Sequence, residues 1–346
     1  MRFSNRPVVS GLGLVLATLA LSACSGATAE DSPTATDAAT GATQDIRYTT
    51  PRTMPEGKGS GEADGVFPRT VVHFQGETTL DAEPQKIVVI STGQADALLT
   101  LGVVPTGSTS GDGAEMIPAY LYDAFPDLAD ELDAVVDVGS RFAPDVETIA
   151  NIAPDLIVMN NAGKDAEALY STLAAVAPTV ATQGTGLYWK QDFLLLADAL
   201  GRAEQAQVWL DEYHADTIAF GERVEGDPTV SFLRKNGDRT RVFGIASFTG
   251  SVAEDAGLAR PESQSFSDDT SVDISAEQID QADADWLFYA VQGGQLSELT
   301  DLPLWPTLRA VGDEHAVAVD DDVFYLNVGP TAARGVLDVL EDTLAS

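Results

Sequence analysis

Residues 146–158 read VETIANIAPDLIV, and residues 276–288 read AEQIDQADADWLF. Glu147 and Glu277, Ile149 and Ile279, and Asp155 and Asp285 hold the same places in the two stretches, 130 residues apart. In each, a helix-compatible Glu-x-Ile segment passes through a short turn, Ala153-Pro154-Asp155 or Asp283-Ala284-Asp285, into a continuous apolar run. Such a run is the pattern of a strand buried on both faces. A helix–turn–strand unit that occurs once in each half points to two similarly built α/β lobes.

The sequence on either side supports this grammar. Residues 86–91, KIVVIS, read as a buried parallel strand, and residues 94–101 as a helix stopped by Gly102 at its C′ position. Val103-Val104 then starts another strand, and strands or helices follow at 135–138, 146–152, 156–159 and 179–181. Ahead of them, residues 71–74 and 78–80 flank Gln75-Gly76-Glu77 as a hairpin. A helix over 191–200 ends at Gly201. A longer one over 203–224 places Ala206, Trp209, Leu210, Tyr213, Thr217, Phe220 and Val224 on one face. At 1.5 Å per residue it reaches on the order of 30 Å, enough to run between two lobes.

After Gly226-Asp227-Pro228 a hairpin is expected over 230–234 and 239–243, turned by Asn236-Gly237. Helices near Val252 and Ala276, strands over 286–291 and near 323–326, and a last helix from about 331 to 344 complete the chain. The fold class is therefore α/β: two Rossmann-like lobes, residues 66–200 and 227–346, joined by a long helix within 201–226.

Composition narrows the function. The 346 residues hold 19 Lys+Arg against 54 Asp+Glu, a net charge of −35. No cationic surface exists to displace phosphate counterions, which excludes a nucleic-acid binder, and basic adhesion to anionic membranes is excluded in the same way. A single Cys rules out an intramolecular disulfide and every Cys-cluster metal site. The three His, at 73, 214 and 315, are dispersed, so no protein-borne metal site is expected. Self-repulsion of this size favours a soluble monomer.

The first residues set the compartment. Arg2 and Arg6 precede an apolar stretch over 8–21, the layout of a secretory signal and too short to span a bilayer comfortably. It ends in Leu21-Ser22-Ala23-Cys24, which resembles the bacterial lipobox, and the chain's one Cys stands there. Residues 1–23 are thus expected to be a lipoprotein signal peptide, and Cys24 to be diacylated. Two acyl chains suffice for stable anchoring on the outer face of the cytoplasmic membrane. The Ala-, Thr-, Ser- and Gly-rich stretch after Cys24, to about residue 65, is expected to be a disordered tether.

Catalytic signatures are missing. No Gly-x-Ser-x-Gly, His-Glu-x-x-His or phosphate-binding loop occurs, and Gly57-x-Gly59-x-Gly61 follows no strand. Asp268-Asp269 and Asp320-Asp321-Asp322 read as solvated charge. The expectation is a binding protein with no enzymatic activity and no cofactor. A surface-anchored hydrolase is the reading from another class, and it lacks a nucleophile motif.

Six segments in order, HFQGETTLDAEPQKIVVIS (73–91), ADALLTLGVVPTG (95–107), FAPDVETIANIAPDLIV (142–158), SFTGSVAEDAGLARP (247–261), ISAEQIDQADADWLF (274–288) and PLWPTLRAVGDEHAVAVDDDVFYL (303–326), resemble the ferric-siderophore solute-binding proteins of ATP-driven (ABC) importers. The resemblance implies two α/β lobes joined by a rigid helix, and a ferric siderophore as ligand with iron held by the chelator. It implies a ligand cleft between the lobes and an ABC permease as partner, with Glu147 and Glu277 pairing with permease arginines and Asp96 a weaker surface contact of the same kind. Heme and cobalamin binders share the fold and several of these segments, so they stand as the alternative.

A siderophore already wraps Fe³⁺ in hard oxygens, so its receptor needs a wide cleft with aromatic surface and a few polar or cationic groups. The carboxyl ends of the strands put Ser91, Thr92, Arg141, Phe142, Asn160 and Asn161 there. Tyr188 and Trp189 before the interlobe helices, and Arg234, Phe248 and Tyr289 in the second lobe, complete the candidates. Arg141 and Arg234 stand out because cations are scarce and both lie at strand ends. The net charge leans towards a neutral or cationic hydroxamate chelate over a catecholate, although salt screens charge beyond about 10 Å.

Overall fold

A computed structural model of the chain describes residues 50–111, 113 and 115–345. The expected signal peptide, Cys24 and the tether up to residue 49 lie outside the described residues. β1 (Arg69–His73) and β2 (Gly76–Leu80) pair as the antiparallel hairpin read from the sequence. The first lobe is built on six strands: β3 (Ile87–Val89), β4 (Gly107–Ser110), β5 (Val136–Ser140), β6 (Ala143–Pro144), β7 (Leu156–Asn160) and β8 (Thr179–Thr182). Their order is β6-β5-β4-β3-β7-β8, parallel except for the β5–β6 edge. Every residue of β3 and β8 is buried, as a sheet covered on both faces requires.

β3 leads through the helix Gln94–Thr100 to β4 on one side, whereas β7 lies on its other side. The strand order therefore reverses at β3, and a crevice opens at the carboxyl ends of strands at such a point. Gly102, at φ +75°, ends that helix as expected, with the N–H groups of Gly102 and Val103 returning to the carbonyls of Leu99 and Leu98.

The second lobe holds β9 (Val230–Asn236), β10 (Arg239–Phe243), β11 (Ser271–Ile274), β12 (Trp286–Gln292) and β13 (Ala316–Ala318), in the order β11-β10-β9-β12-β13. β9, β12 and β13 run parallel, and β10 and β11 extend the sheet antiparallel. The recurrent segment does the same work in both lobes. Ile149 and Ile279 are fully buried. Asp155, just before β7, accepts the N–H groups of Gln85 and Lys86 at 3.0 Å each and so holds the start of β3. Asp285, just before β12, accepts the N–H (2.8 Å) and hydroxyl (2.6 Å) of Thr229 and holds the start of β9.

Three connections cross between the lobes. The first is the helix Ala203–Gly221, which follows the first-lobe helix Trp189–Ala199, buries Ala206, Leu210, Tyr213, Thr217 and Phe220, and leads on to β9.

The second corrects the expectation of disorder to residue 65. Asp64 accepts the first amides of the long helix at Glu204 and Gln205, the Ser60 hydroxyl donates to Asp198 at 2.7 Å, and Gly59 bridges to Val72. Farther back, Arg52 and Thr50 donate to Asp255 at 2.9 and 3.1 Å, and the wholly buried Lys190 contacts both Thr50 and Asp255. The composition of this stretch gave no warning, because the groups that fix it lie about 140–200 residues away.

The third connection is the C-terminal helix Pro330–Leu344. Asp96, on the first-lobe helix Gln94–Thr100, accepts its first-turn amides from Thr331 (2.8 Å) and Ala332 (2.9 Å), and also the Tyr120 hydroxyl (2.9 Å). Asp96 is 1 % exposed, which corrects its reading as a surface contact. Gly329 admits this approach, since a Cβ there would collide with the Asp96 carboxyl.

Three smaller expectations change. Val103-Val104 precedes its strand, which begins at Gly107. The run near 323–326 is a π-helical turn, Asp322–Leu326, that buries the adjacent Phe324 and Tyr325; a short apolar run cannot be told from a strand by periodicity. β13, rich in alanine, carries little strand signal.

Asp96→Ala removes two charge-assisted hydrogen bonds from a buried helix start and should cost about 2–3 kcal/mol. Urea unfolding would measure it, and a change below about 0.5 kcal/mol, the scale of a surface substitution, would contradict the structural role given to Asp96.

Candidate functional site

Ser91 follows β3, Arg141 and Phe142 follow β5, and Asn160 ends β7, so the reversal of strand order brings them together. With Lys164 and Ile90 they line a hollow of about 270 Å³. The Ser91 hydroxyl is buried without a partner among the described residues, as is Arg141 Nε. Arg141 lies 4.2 Å from the centroid of the Phe142 ring, which is 66 % exposed at the mouth of the hollow. Asn160 Oδ1 turns back to the Ala162 amide (3.2 Å), and Asn161 accepts from Gln75.

Below this lies a polar pit of about 30 Å³, lined by Ser91, Thr92, Gln94, Asn160, Thr182 and Asp192 among others. Gln94 donates to Thr182 at 3.2 Å, and its Oε1 has no partner among the described residues. Asp192 accepts the amides of Gln183 and Gly184 at 2.7 Å each, which fixes the loop after β8. Burial outweighs those donors and lifts its carboxyl to about 7.

A second hollow, about 260 Å³, lies between the lobes. First-lobe residues Thr185 and Gly186 face Phe243, Phe248 and Tyr325 of the second lobe. Gly186 comes so close to Phe248 that a Cβ would overlap it. Tyr325 is anchored by donating its hydroxyl to the Phe288 carbonyl at 2.9 Å. The π-helical turn that presents it also brings up Asp321, whose two oxygens take Arg234 Nε and Nη2 at 2.6 Å each. Next to it, Asp322 is raised to about 6, by burial first and then by Asp320, Asp321 and Glu115.

The remaining candidates are dispersed. Tyr188 is half-buried at the end of the turn Gly186–Tyr188 and lines neither large hollow. Trp189 borders the pit but is 2 % exposed, with its indole N–H given to Ser251 at 3.1 Å and its rings packed edge-on to Tyr213 and Phe248. Tyr289 packs 4.8 Å from Trp305 in the second-lobe core. Glu147 and Glu277 are exposed in the second position of matching helical turns, behind the caps Asp145 and Ser275. Hydrogen bonds at that turn start, its own amide first and then Ser275, lower the Glu277 carboxyl, which keeps it anionic.

Sequence reasoning missed Lys164 and Tyr325, which border the hollows, and Asp192, which borders the pit. Tyr325 was hidden by the strand reading of its segment.

Two α/β lobes with polar hollows at their carboxyl ends and between them define a two-lobed substrate-binding protein. The family described as periplasmic binding protein matches residues 87–323, and the chain belongs to that family. It is 30% identical over 308 residues to the probable siderophore-binding lipoprotein YfiY of Bacillus subtilis, covering 83% of this chain and 90% of that protein. It is 24% identical to the Fe(3+) dicitrate-binding periplasmic protein FecB of Escherichia coli, covering 78% and 88%. Among solved structures, Staphylococcus aureus SirA complexed with staphyloferrin B superposes with a TM-score of 0.69 at 24% identity, over 80% of this chain and 98% of that one.

Because Asp192 binds its proton more tightly in the folded state, the stability it lends is present at pH values below about 4 and is lost as pH rises to about 7. Asp192→Asn should flatten the stability–pH profile between those values, as read by urea midpoints. An unchanged slope would show that the carboxyl titrates normally.

Proposed function

We propose that the protein captures a ferric siderophore in the cleft between its lobes and delivers it to the permease of an ABC iron importer. In this reading Cys24 is diacylated and holds the protein on the outer face of the cytoplasmic membrane. The observation that carries the ligand reading is the pair of hollows of about 270 and 260 Å³, edged by Arg141, Phe142, Phe243 and Tyr325. A cation and aromatic faces at the edges of such hollows suit the outer oxygens and rings of a chelate that supplies its own iron ligands. The names of YfiY, FecB and SirA's ligand agree with this.

Heme is the less favoured ligand on the placement of its possible axial groups. His73 sits in the β1–β2 hairpin against Tyr170, His214 on the long helix beside Tyr213, and His315 stacks on Trp286. None of the three lines the hollows, and the Tyr325 hydroxyl is committed to a carbonyl.

Two tests separate capture from delivery. Ferric siderophores should quench the intrinsic tryptophan fluorescence of the protein saturably, while hemin and cobalamin do not. The double variant Glu147→Ala, Glu277→Ala should keep chelate affinity within about twofold, because both side chains lie away from the hollows, yet abolish iron uptake by cells. Normal uptake by that variant would contradict the docking role.

A further inference from the structure

The small polar pit differs in chemistry from both hollows. It shares Ser91 and Asn160 with the first-lobe hollow and Val328 with the interlobe one, so it lies where the two meet. Its volume of about 30 Å³ admits one group the size of a water molecule. Among the described residues no Lys, Arg or His lines it, and Asp192 is its one charged side chain.

The polar atoms of the pit are acceptors left over from other bonds. The Thr182 hydroxyl donates to the Met159 carbonyl at 3.3 Å, so its oxygen has only lone pairs to offer Gln94. Gln94 must therefore turn its NH₂ to Thr182, at 3.2 Å, which leaves Oε1 as the free end of the amide. That oxygen is buried without a partner among the described residues, on a side chain whose residue is 7 % exposed. The Ser91 hydroxyl, on a residue 6 % exposed, is in the same condition. Each Asp192 oxygen takes a single amide, from Gln183 or Gly184, and keeps a lone pair.

Buried acceptors are costly to leave unmatched, so a donor belongs among them. An ammonium brings three N–H groups and no lone pair, whereas water brings two donors and a hydroxyl one. Trp189, Phe193 and Leu196 also border the pit, and such apolar surroundings strengthen the pull of a carboxylate on a cation. Burial and the two amides alone act on Asp192, whose value of about 7 is that of a carboxyl with no cation beside it.

We propose that the pit is a specificity subsite for a primary ammonium group carried on a side arm of the ferric chelate, with Gln94 Oε1, the Ser91 hydroxyl and the Asp192 carboxylate receiving its three N–H groups. This rests on the ferric-siderophore reading of the cleft and adds a substrate class to it: chelates that bear a free amine. The iron centre stays in the hollows, because the pit has room for the head of the arm alone.

The test uses the full chain and a linear ferric trihydroxamate in three forms: ending in a primary amine, with that amine N-acetylated, and with a hydroxyl in its place. A ferric tris-catecholate carrying the same three arms makes a second set. Tryptophan-fluorescence titration should find the amine form binding about tenfold or more tighter than both other forms in at least one set, as charge-assisted hydrogen bonds require. The preference should persist at about 1 M salt, where attraction to distant acids is screened beyond about 3 Å. Gln94→Met and Asp192→Asn should each cut the amine-to-acetyl ratio about tenfold. Asp273→Asn removes the same charge from an exposed position and should leave the ratio unchanged. Unfolding midpoints would confirm that the variants fold.

Equal binding of the amine and acetylated forms, a hydroxyl form as tight as the amine, a preference that vanishes in salt, or an unchanged ratio in both pit variants would overturn the inference while leaving the ferric-siderophore reading in place. Failure of both sets to bind the folded wild-type chain would instead overturn that reading, and this inference with it.

Discussion

Asp96 carries the N-terminus of the last helix on a carboxylate that belongs to the first lobe. Burial raises its proton affinity more than the Thr331, Ala332 and Tyr120 donors lower it, so the group is held under load. The helix it caps follows directly from the π-helical turn that presents Tyr325 and Asp321 to the cleft. Shifting that cap would therefore shift the wall of the interlobe hollow. Lys190 and Asp255 make a second junction, closed by Thr50 and Arg52 from the segment before the hairpin. Burial pulls Lys190 down to about 8 against the opposing pull of Asp255. Such a buried pair adds little net stability over an apolar one, but losing one partner strands the other, which enforces a single arrangement.

With the long helix, these junctions give the lobes three connections. The cleft is then largely preformed, and a preformed site spends less of its binding energy on ordering itself. That suits the proposed capture of a chelate that arrives rigid and already assembled around its metal.

Much of the fold was legible in the sequence because its signals are local. The buried runs 87–89 and 156–159, the helix stop at Gly102 and the Asn236-Gly237 turn each carry their meaning within a few residues. The Glu-x-Ile…Asp recurrence proved to be the device that pins a neighbouring strand in each lobe. What escaped depends on distant partners. Asp96 reads as an ordinary helix acid until Thr331 is brought to it, and residues 50–65 read as a tether until Asp198 and Asp255 fix them. In the site, Ser91, Arg141, Phe142 and Asn160 were placed together by the strand-end rule alone. Trp189 and Tyr289 were drawn into cores by their size, and Arg234 received an acid from a turn that periodicity could not identify.

The central claim is that a ferric chelate sits in the cleft between the lobes. A crystal of the protein grown with the tightest-binding ferric chelate, with the iron located by its anomalous scattering, tests this directly. The account predicts one iron peak in the cleft, with the chelate against Arg141 and Phe142 on one side or Phe243 and Tyr325 on the other. Iron bound outside the cleft, or a chelate touching none of these four side chains, would contradict it.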